Sequence, residues 1–237
     1  MTSIALIGPG RHGTAIATLF ALHGVDVTLY HHNQDKAQLA ARVVRNGARD
    51  ASVSVATGLA HAVDGQEIVV LATLWDAAQR AVIADLGDAL AGKVLVDVSN
   101  PLDVTPAGIF PRRPREGSAG QFVATLLPAG TGHVKVFSNL ATASILESAD
   151  LAPRAVLPFA ADSADTATRI RPYLERTGWL PWLVGDISVS GQLEIGGAYN
   201  AVHGRWGRSR LDATEMLALA GPEAQLTARS AAFAERN

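Results

Sequence analysis

The sequence predicts an α/β fold: a Rossmann-type, doubly wound, mostly parallel sheet, extended by further strands and closed by a small C-terminal helical part. Three observations carry this. Short runs rich in β-branched residues are almost wholly apolar, as strands covered on both faces are. Alanine-rich amphipathic stretches of helix length, such as 14–23 and 76–90, separate several of them. Between the first run and the first such stretch stands Gly8-Pro9-Gly10-Arg11-His12-Gly13, a G-x-G-x-x-G turn.

Strands are expected at 4–7, 25–29, 53–55, 68–71 and 94–98. Beyond Asn100 the pattern loosens. Residues 101–117 hold four prolines and the cluster Arg112, Arg113 and Arg115, and are expected to form a long loop, a lid if it has a function. Ser118 reads as the N-cap of a helix through Leu127, which Pro128 stops. Strands follow at 134–137, 155–159 and 182–184, with a helix near 165–176 joining the last two. From Gln192 onward the chain reads as mostly helical, broken at Gly221-Pro222. The expected division is a dinucleotide-binding Rossmann domain, 1–139, and a smaller α/β and helical part, 140–237, that completes a substrate site.

Composition narrows the chemistry. The chain has 237 residues, 48% of them hydrophobic, enough to bury roughly 70–75% of its unfolded surface in a full core. Twenty Lys and Arg against 22 Asp and Glu, a net charge of −2, argue against nucleic-acid or electrostatic membrane binding. With no cysteine, disulfides, thiolate metal sites and cysteine nucleophiles are excluded. Apolar runs such as 68–72 are too short to span a bilayer, and the N-terminus enters a strand at once, leaving no room for a signal peptide; a cytoplasmic protein is expected. The histidines (His12, His23, His31, His32, His61, His133, His203) lack metal-ligand spacing, so no metal is expected. There is no G-x-S-x-G elbow, and no Lys-Ser or Lys-Thr follows the glycines.

The glycine turn asks for a dinucleotide. Gly8 permits the tight turn, Gly10 admits a pyrophosphate against the backbone, and Gly13 lets helix and strand approach. The N–H groups and dipole at the helix start favour the anion. An NAD site would place an acid at the end of the second strand, but here stand Tyr30-His31-His32-Asn33, and Asp35 lies beyond. Donors His31, His32, Asn33 and Lys36 suit a 2′-phosphate, so NADP is favoured.

Several stretches carry a resemblance. The opening Ile4-Ala5-Leu6-Ile7-Gly8-Pro9-Gly10, the turn Thr73-Leu74-Trp75 after Glu67-Ile68-Val69-Val70-Leu71-Ala72, and Asp97-Val98-Ser99-Asn100-Pro101-Leu102 are three of them. Gly117-Ser118-Ala119 and Val134-Lys135-Val136-Phe137-Ser138-Asn139 are the others. Together they resemble the F420-dependent NADP reductase family, whose members pass hydride between NADP(H) and the deazaflavin coenzyme F420. The resemblance implies that Gly8, Pro9, Gly10, Arg11 and His12 surround the pyrophosphate. It places His31, His32, Asn33 and Lys36 at the 2′-phosphate, where the family's usual Ser-Arg pair is replaced by His31-His32. Ala72, Thr73 and Leu74 would flank the nicotinamide, with Trp75 beside the substrate and Asn100 and Pro101 at the next strand end. Asn139, Leu140, Ala141 and Thr142 would face the ring that exchanges hydride. Glu194 matches an acidic position, although Gly191 and Ala141 replace an arginine and a histidine found in the family.

Hydride exchange between two rings needs their positioning more than acid–base help, which suits a chain without an obvious proton-transfer dyad. A ketone or imine substrate would ask for a donor, with Tyr199, His203 and Asp186 as candidates. The segment 203–210, with Arg205, Trp206, Arg208 and Arg210, suits an acidic substrate tail or a solvated helix end. Apolar residues of the tail (Met216, Leu217, Leu219, Leu226, Phe233) suit packing on the parent core or on a second subunit, and with the resemblance suggest a homodimer. The expected function is hydride transfer between NADP(H) and a deazaflavin. The alternatives are an NADPH-dependent reductase of a flavin, imine or carbonyl, and a non-catalytic NADP(H) sensor.

Overall fold

The computed structural model describes residues 2–48, 50–146, 152–200 and 210–218. The chain alternates β1 (Ser3–Ile7), α1 (Arg11–Leu22), β2 (Asp26–Tyr30), α2 (Gln34–Gly47), β3 (Val53–Val55), α3 (Leu59–Val63), β4 (Ile68–Leu71), α4 (Ala77–Leu86) and β5 (Val94–Asp97). There follow β6 (Leu102–Thr105), β7 (Gly108–Pro111), α5 (Ala119–Ala124), β8 (Gly132–Lys135), β9 (Val156–Ala161), α6 (Ala164–Arg176) and β10 (Leu180–Gly185). A 3-10 segment, Ile187–Gln192, and a helical stretch at 213–218 complete it.

Eight strands form one sheet in the order β10-β9-β8-β5-β4-β1-β2-β3. Neighbours run parallel except at β8 and β9. This is the Rossmann arrangement, and β9 and β10 extend the same sheet past residue 139. Every residue of β4 and β5 is buried, which explains why both runs are apolar except for Asp97 at the end of β5. One core layer, with Ile16, Phe20, Val44 and Trp179, packs on one face. Another, with Ile83, Leu86 and Phe122, packs on the other. Each fully buried Leu, Ile or Phe stabilises the fold by roughly 1.5–3 kcal/mol. Asn33 caps α2, and Ser118 and Ser163 cap α5 and α6, each accepting from a backbone N–H in the first turn.

Two expectations are corrected. The segment 101–117 is not a loop throughout, because β6 and β7 pair antiparallel as a hairpin. Its prolines delimit strands rather than forbid them: Pro106 sits in the turn and Pro111 at the strand end. The stretch after Gln192 is not helical at 193–200 but turns. Gly196 holds φ +87°, and a Cβ on Gly197 would lie 2.3 Å from the Gln192 carbonyl oxygen, so the chain doubles back where a helix would run straight. Further on, Leu211 and Met216 are buried against Val156, with Trp182 and Tyr199 beside them, so this part of the tail packs on the parent sheet. His203, Arg205, Trp206, Arg208, Leu219, the Gly221-Pro222 break, Leu226 and Phe233 lie outside the described residues. Among the described residues no helix is long and apolar enough to cross a membrane.

Candidate active site

The sheet register puts Tyr30, Ile7, Leu71, Asp97 and Lys135 in one row across β2, β1, β4, β5 and β8. The residues just past that row converge at the carboxyl edge. Strand order reverses between β1 and β4, which opens the crevice where such sheets bind ligands.

Gly8 lies at φ +83°, and a Cβ there would come within 2.8 Å of Thr73 Cγ2. A Cβ on Gly13 would sit 2.8 Å from the Gly8 carbonyl and 2.9 Å from Ala72 Cβ, so α1 can approach the sheet only as glycine. Gly10 differs, because nothing lies within 4 Å of where its Cβ would be. That open space adjoins the start of the 12-residue α1, which no side chain among the described residues caps. Uncapped N–H groups beside an unfilled concavity are a cradle for an anion. The residues present therefore fit a dinucleotide pyrophosphate.

Beyond this turn lies a cavity of about 440 Å³, lined by His12, Ala72, Thr73, Leu74, Trp75, Val98, Ser99, Asn100, Leu102, Val104, Ile109, Ser138, Leu140, Ala141, Thr142, Ile195 and Asn200. Among the described residues its lining includes no Asp, Glu, Lys or Arg. The hairpin supplies Leu102, Val104 and Ile109 as a wall. Arg112 holds it in place: its guanidinium bonds Asp76 at 3.1 Å and Asp103 at 3.2 Å and lies 4.7 Å from the centre of the Trp75 ring. Two buried polar atoms of lining residues, Thr73 Oγ1 and Trp75 Nε1, have no hydrogen-bond partner among the described residues.

His12 is turned inward from α1. Its Nε2 lies 3.1 Å from the Phe137 carbonyl and its Nδ1 3.1 Å from Thr142 Oγ1, which fits Nε2–H donating and Nδ1 accepting. Burial lowers its pKa, partly opposed by the bond to Phe137, so the ring is neutral at pH 7. The carbonyl it meets belongs to a residue held at φ 65°, an uncommon conformation for phenylalanine. Asn100 bridges further, donating to the Ser138 carbonyl at 2.8 Å and accepting from the Ile195 N–H at 2.8 Å.

At the end of β2, His31 and His32 lie ring to ring, 4.3 Å apart. His31 Nδ1 accepts from the Asn33 N–H, which leaves Nε2 as its donor. Burial, then the neighbouring His32 and Lys36 charges, lower the His31 pKa. Asn33 Oδ1 accepts from Lys36 N at the start of α2. The expected donors are thus gathered at one helix start.

Behind the cavity lies a group of charges. Lys135 is fully buried, and its Nζ donates to Asp97 Oδ2 at 2.8 Å and to the Ser99 carbonyl at 2.7 Å. It also approaches Ser99 Oγ at 3.3 Å and Glu194 Oε1 at 3.3 Å. Asp97 accepts from Gln79 and the Ser99 N–H, and Glu194 from the N–H groups of Ala119 and Gly120. Burial would raise the Asp97 carboxyl, but the Lys135 charge and side-chain hydrogen bonds from Lys135 and Ser99 outweigh it and hold it below the usual range. Burial pushes His133 down to about 4, so it stays neutral 3.9 Å from Asp97.

Of the residues expected at the substrate, Trp75, Leu140, Ala141 and Thr142 line the cavity. Asn139 lies elsewhere, fully buried and donating to the Pro158 carbonyl, and Glu194 belongs to the charged group. Pro101 anchors the hairpin by accepting from Arg112 N. Asp186 is occupied with Ser188 at the surface, whose hydrogen bonds lower its pKa, and burial raises that of Tyr199. Sequence reasoning assigned no role to Lys135, Asp97, Ser99, Ser138 or Asn200. A lysine and an aspartate, each set in an apolar strand run, were the signal, since charges buried in strands must be paired.

Residues 3–101 match the family described as NADP oxidoreductase coenzyme F420-dependent, which bears out the resemblance. No curated protein matches the chain. Among solved structures, a hypothetical protein, SMa0349, from Sinorhizobium meliloti is 22% identical, covering 90% of this chain and 96% of that one, with a TM-score of 0.70. A protein of Arthrobacter sp. fb24, described as a candidate F420-dependent NADP-reductase, is 22% identical over 80% of this chain and 88% of that one, TM-score 0.64. An imine reductase of Streptomyces aurantiacus is 26% identical, TM-score 0.54, covering 78% of this chain but 56% of that one.

Proposed function

We propose that this chain is an NADP(H)-dependent oxidoreductase that exchanges hydride with a planar, uncharged ring seated in the cavity, with the deazaflavin of coenzyme F420 as the leading partner. The observation that carries the reading is a cavity lined, among the described residues, without charged side chains, adjoining an uncapped glycine turn at the switch point. The uncapped start of α1 would hold the pyrophosphate, with His31, His32 and Lys36 at the 2′-phosphate and Ala72 and Thr73 beside the nicotinamide. NADP(H) supplies the hydride when bound. The protein's part is to place the two rings face to face and exclude water with the hairpin wall.

A second reading, an NADPH-dependent reductase of an imine, carbonyl or flavin, has its own support. The groove between hairpin and α4 carries Asp76 and Asp103 against Arg112, a net charge of −1, which does not suit an acidic substrate tail. Anaerobic NADPH oxidation with F420, FMN and 2-methyl-1-pyrroline in parallel, and NADH as control, separates the two. Bleaching of the deazaflavin band supports the first; turnover of the imine or FMN alone supports the second. Tight NADPH binding without turnover of any acceptor would sink both and leave a sensor.

A further inference from the structure

We infer that the inner face of the β6–β7 hairpin, through Val104 and Ile109, selects an acceptor ring that carries an apolar substituent, which leaves the cavity over those two side chains and Leu74. The inference rests on hydride transfer taking place in this cavity, and it narrows the acceptor of the second reading, an imine or carbonyl. The apolar lining falls into two groups. Trp75, Val98 and Leu140 are buried, as the floor of a cavity is. Leu74, Val104 and Ile109 line the same cavity and yet are each more than half exposed. They form an apolar rim that a small ring seated on the floor would leave in water.

The hairpin's register makes this rim one side of an amphipathic ribbon. Val104 pairs with Ile109 and Leu102 with Pro111, and residues directly opposite in an antiparallel pair share a face. All four on that face are apolar, whereas the other face carries Asp103, Thr105, Gly108 and Phe110. Asp103 is paired there with Arg112, which also bonds Asp76. An apolar sheet face ordinarily packs on a core, but this one stands at the mouth of a cavity. A single exposed hydrophobic side chain such as Phe110 is ordinary; three at one cavity mouth mark a surface that a ligand covers.

The rim is also held in place. Thr105 closes the turn, its hydroxyl donating to the Gly108 carbonyl and accepting from the Ala107 N–H. At the other end Arg112 N donates to the Pro101 carbonyl, while its guanidinium bonds Asp76 and lies over Trp75. A surface ordered before its ligand arrives loses little on binding, so the apolar area covered there strengthens affinity. It reads size and polarity rather than a hydrogen-bonding pattern, so the substituent it takes is aryl or branched alkyl. Val104 and Ile109 determine specificity and take no part in making or breaking bonds.

The test sets 2-phenyl-1-pyrroline against 2-methyl-1-pyrroline, in alkaline buffer where both imines are neutral. The proteins are the full-length wild type, Val104→Ser/Ile109→Ser and Phe110→Ser, and both kcat/KM and Kd in the presence of NADP+ are measured. Phenyl for methyl also alters the reactivity of the C=N bond, so the change in preference between variants is the readout. Wild type should bind the phenyl compound at least about 10-fold tighter, the low end for added apolar contact. The double serine variant should lose at least about 5-fold of that preference, through KM more than kcat, and Phe110→Ser, on the outer face, should keep it. A preference unchanged in the double variant, or lowered equally by Phe110→Ser, overturns the inference alone. So does a double variant that loses a wild-type dimer while its preference stands, which would give the rim to a second copy. Turnover of F420 or FMN, with neither pyrroline bound or reduced, overturns it and leaves hydride transfer standing. A wild type that turns over none of these acceptors overturns the hydride reading, and the inference with it.

Discussion

Lys135→Met removes the cation that Asp97 and Glu194 share, without leaving a void. Lysine and methionine have similar volume, so the loss is electrostatic. Both carboxylates stay shut away from water, Asp97 at 0% and Glu194 at 3% exposure. Breaking a buried pair in this way costs about 3–5 kcal/mol. For a chain of this size a kcal/mol corresponds to roughly 2–4 °C, so the midpoint should fall by roughly 6–20 °C. The loss should depend on pH. In the wild type the Asp97 carboxyl is depressed, so its contribution is present above the unfolded value near 3.9 and fades as pH falls through the lower folded value. Without Lys135, burial dominates and raises that carboxyl above its unfolded value. Folding is then penalised progressively as pH rises from about 4. Wild type and variant should therefore differ less at pH 4.5 than above pH 7. Thermal unfolding across that range, with Lys135→Met/Asp97→Asn as the cycle partner, measures this; the double variant should recover part of the loss at pH 7. A midpoint within 2 °C of wild type at pH 7, or a deficit equal at both ends of the range, would refute the argument.

Other expectations concern the cofactor. His32→Asp sets a carboxylate where a 2′-phosphate would sit and should shift preference from NADPH toward NADH by at least 10-fold; an unchanged ratio of the two Kd values would remove the β2 end from phosphate recognition. Two alanine substitutions in the glycine turn should part company. Gly13→Ala collides with the Gly8 carbonyl and Ala72, so it should lower stability by about 1–3 kcal/mol and weaken NADPH binding with it. Gly10→Ala meets no protein atom and should melt like the wild type while losing NADPH affinity, as calorimetric titration would show. Equal NADPH binding by Gly10→Ala and wild type would mean that the open space beside α1 holds no phosphate.

What could be read from the chain alone was whatever rests on short-range pattern. Ile68–Leu71 and the run at 94–98 announce covered parallel strands because burial on both faces leaves them apolar but for Asp97. Gly8, Gly10 and Gly13 announce a turn between strand and helix because each meets a steric demand within a few residues. Ser118 shows where a helix starts, since the N–H group it caps lies three residues on. The resemblance to a family of NADP oxidoreductases rests on the same local strings. The hairpin at 102–111 escaped because proline content speaks for loops, while a pair of edge strands is decided by what their side chains meet. The Gln192 segment escaped because a tight doubling-back at Gly197 depends on the whole turn.

The tertiary structure alone decided which residues share the site. Asp97 and Lys135 stand 38 residues apart, yet parallel register sets them side by side, and the segment after β10 then brings Glu194 to the same ammonium. His12 looks like a phosphate-loop residue in the sequence, but the fold carries it 125 positions away to the carbonyl of Phe137. Local chemistry specifies strands, turns and caps because their interactions close within a few residues. A site is made where distant strand ends meet, and which ends meet is settled only when the sheet assembles.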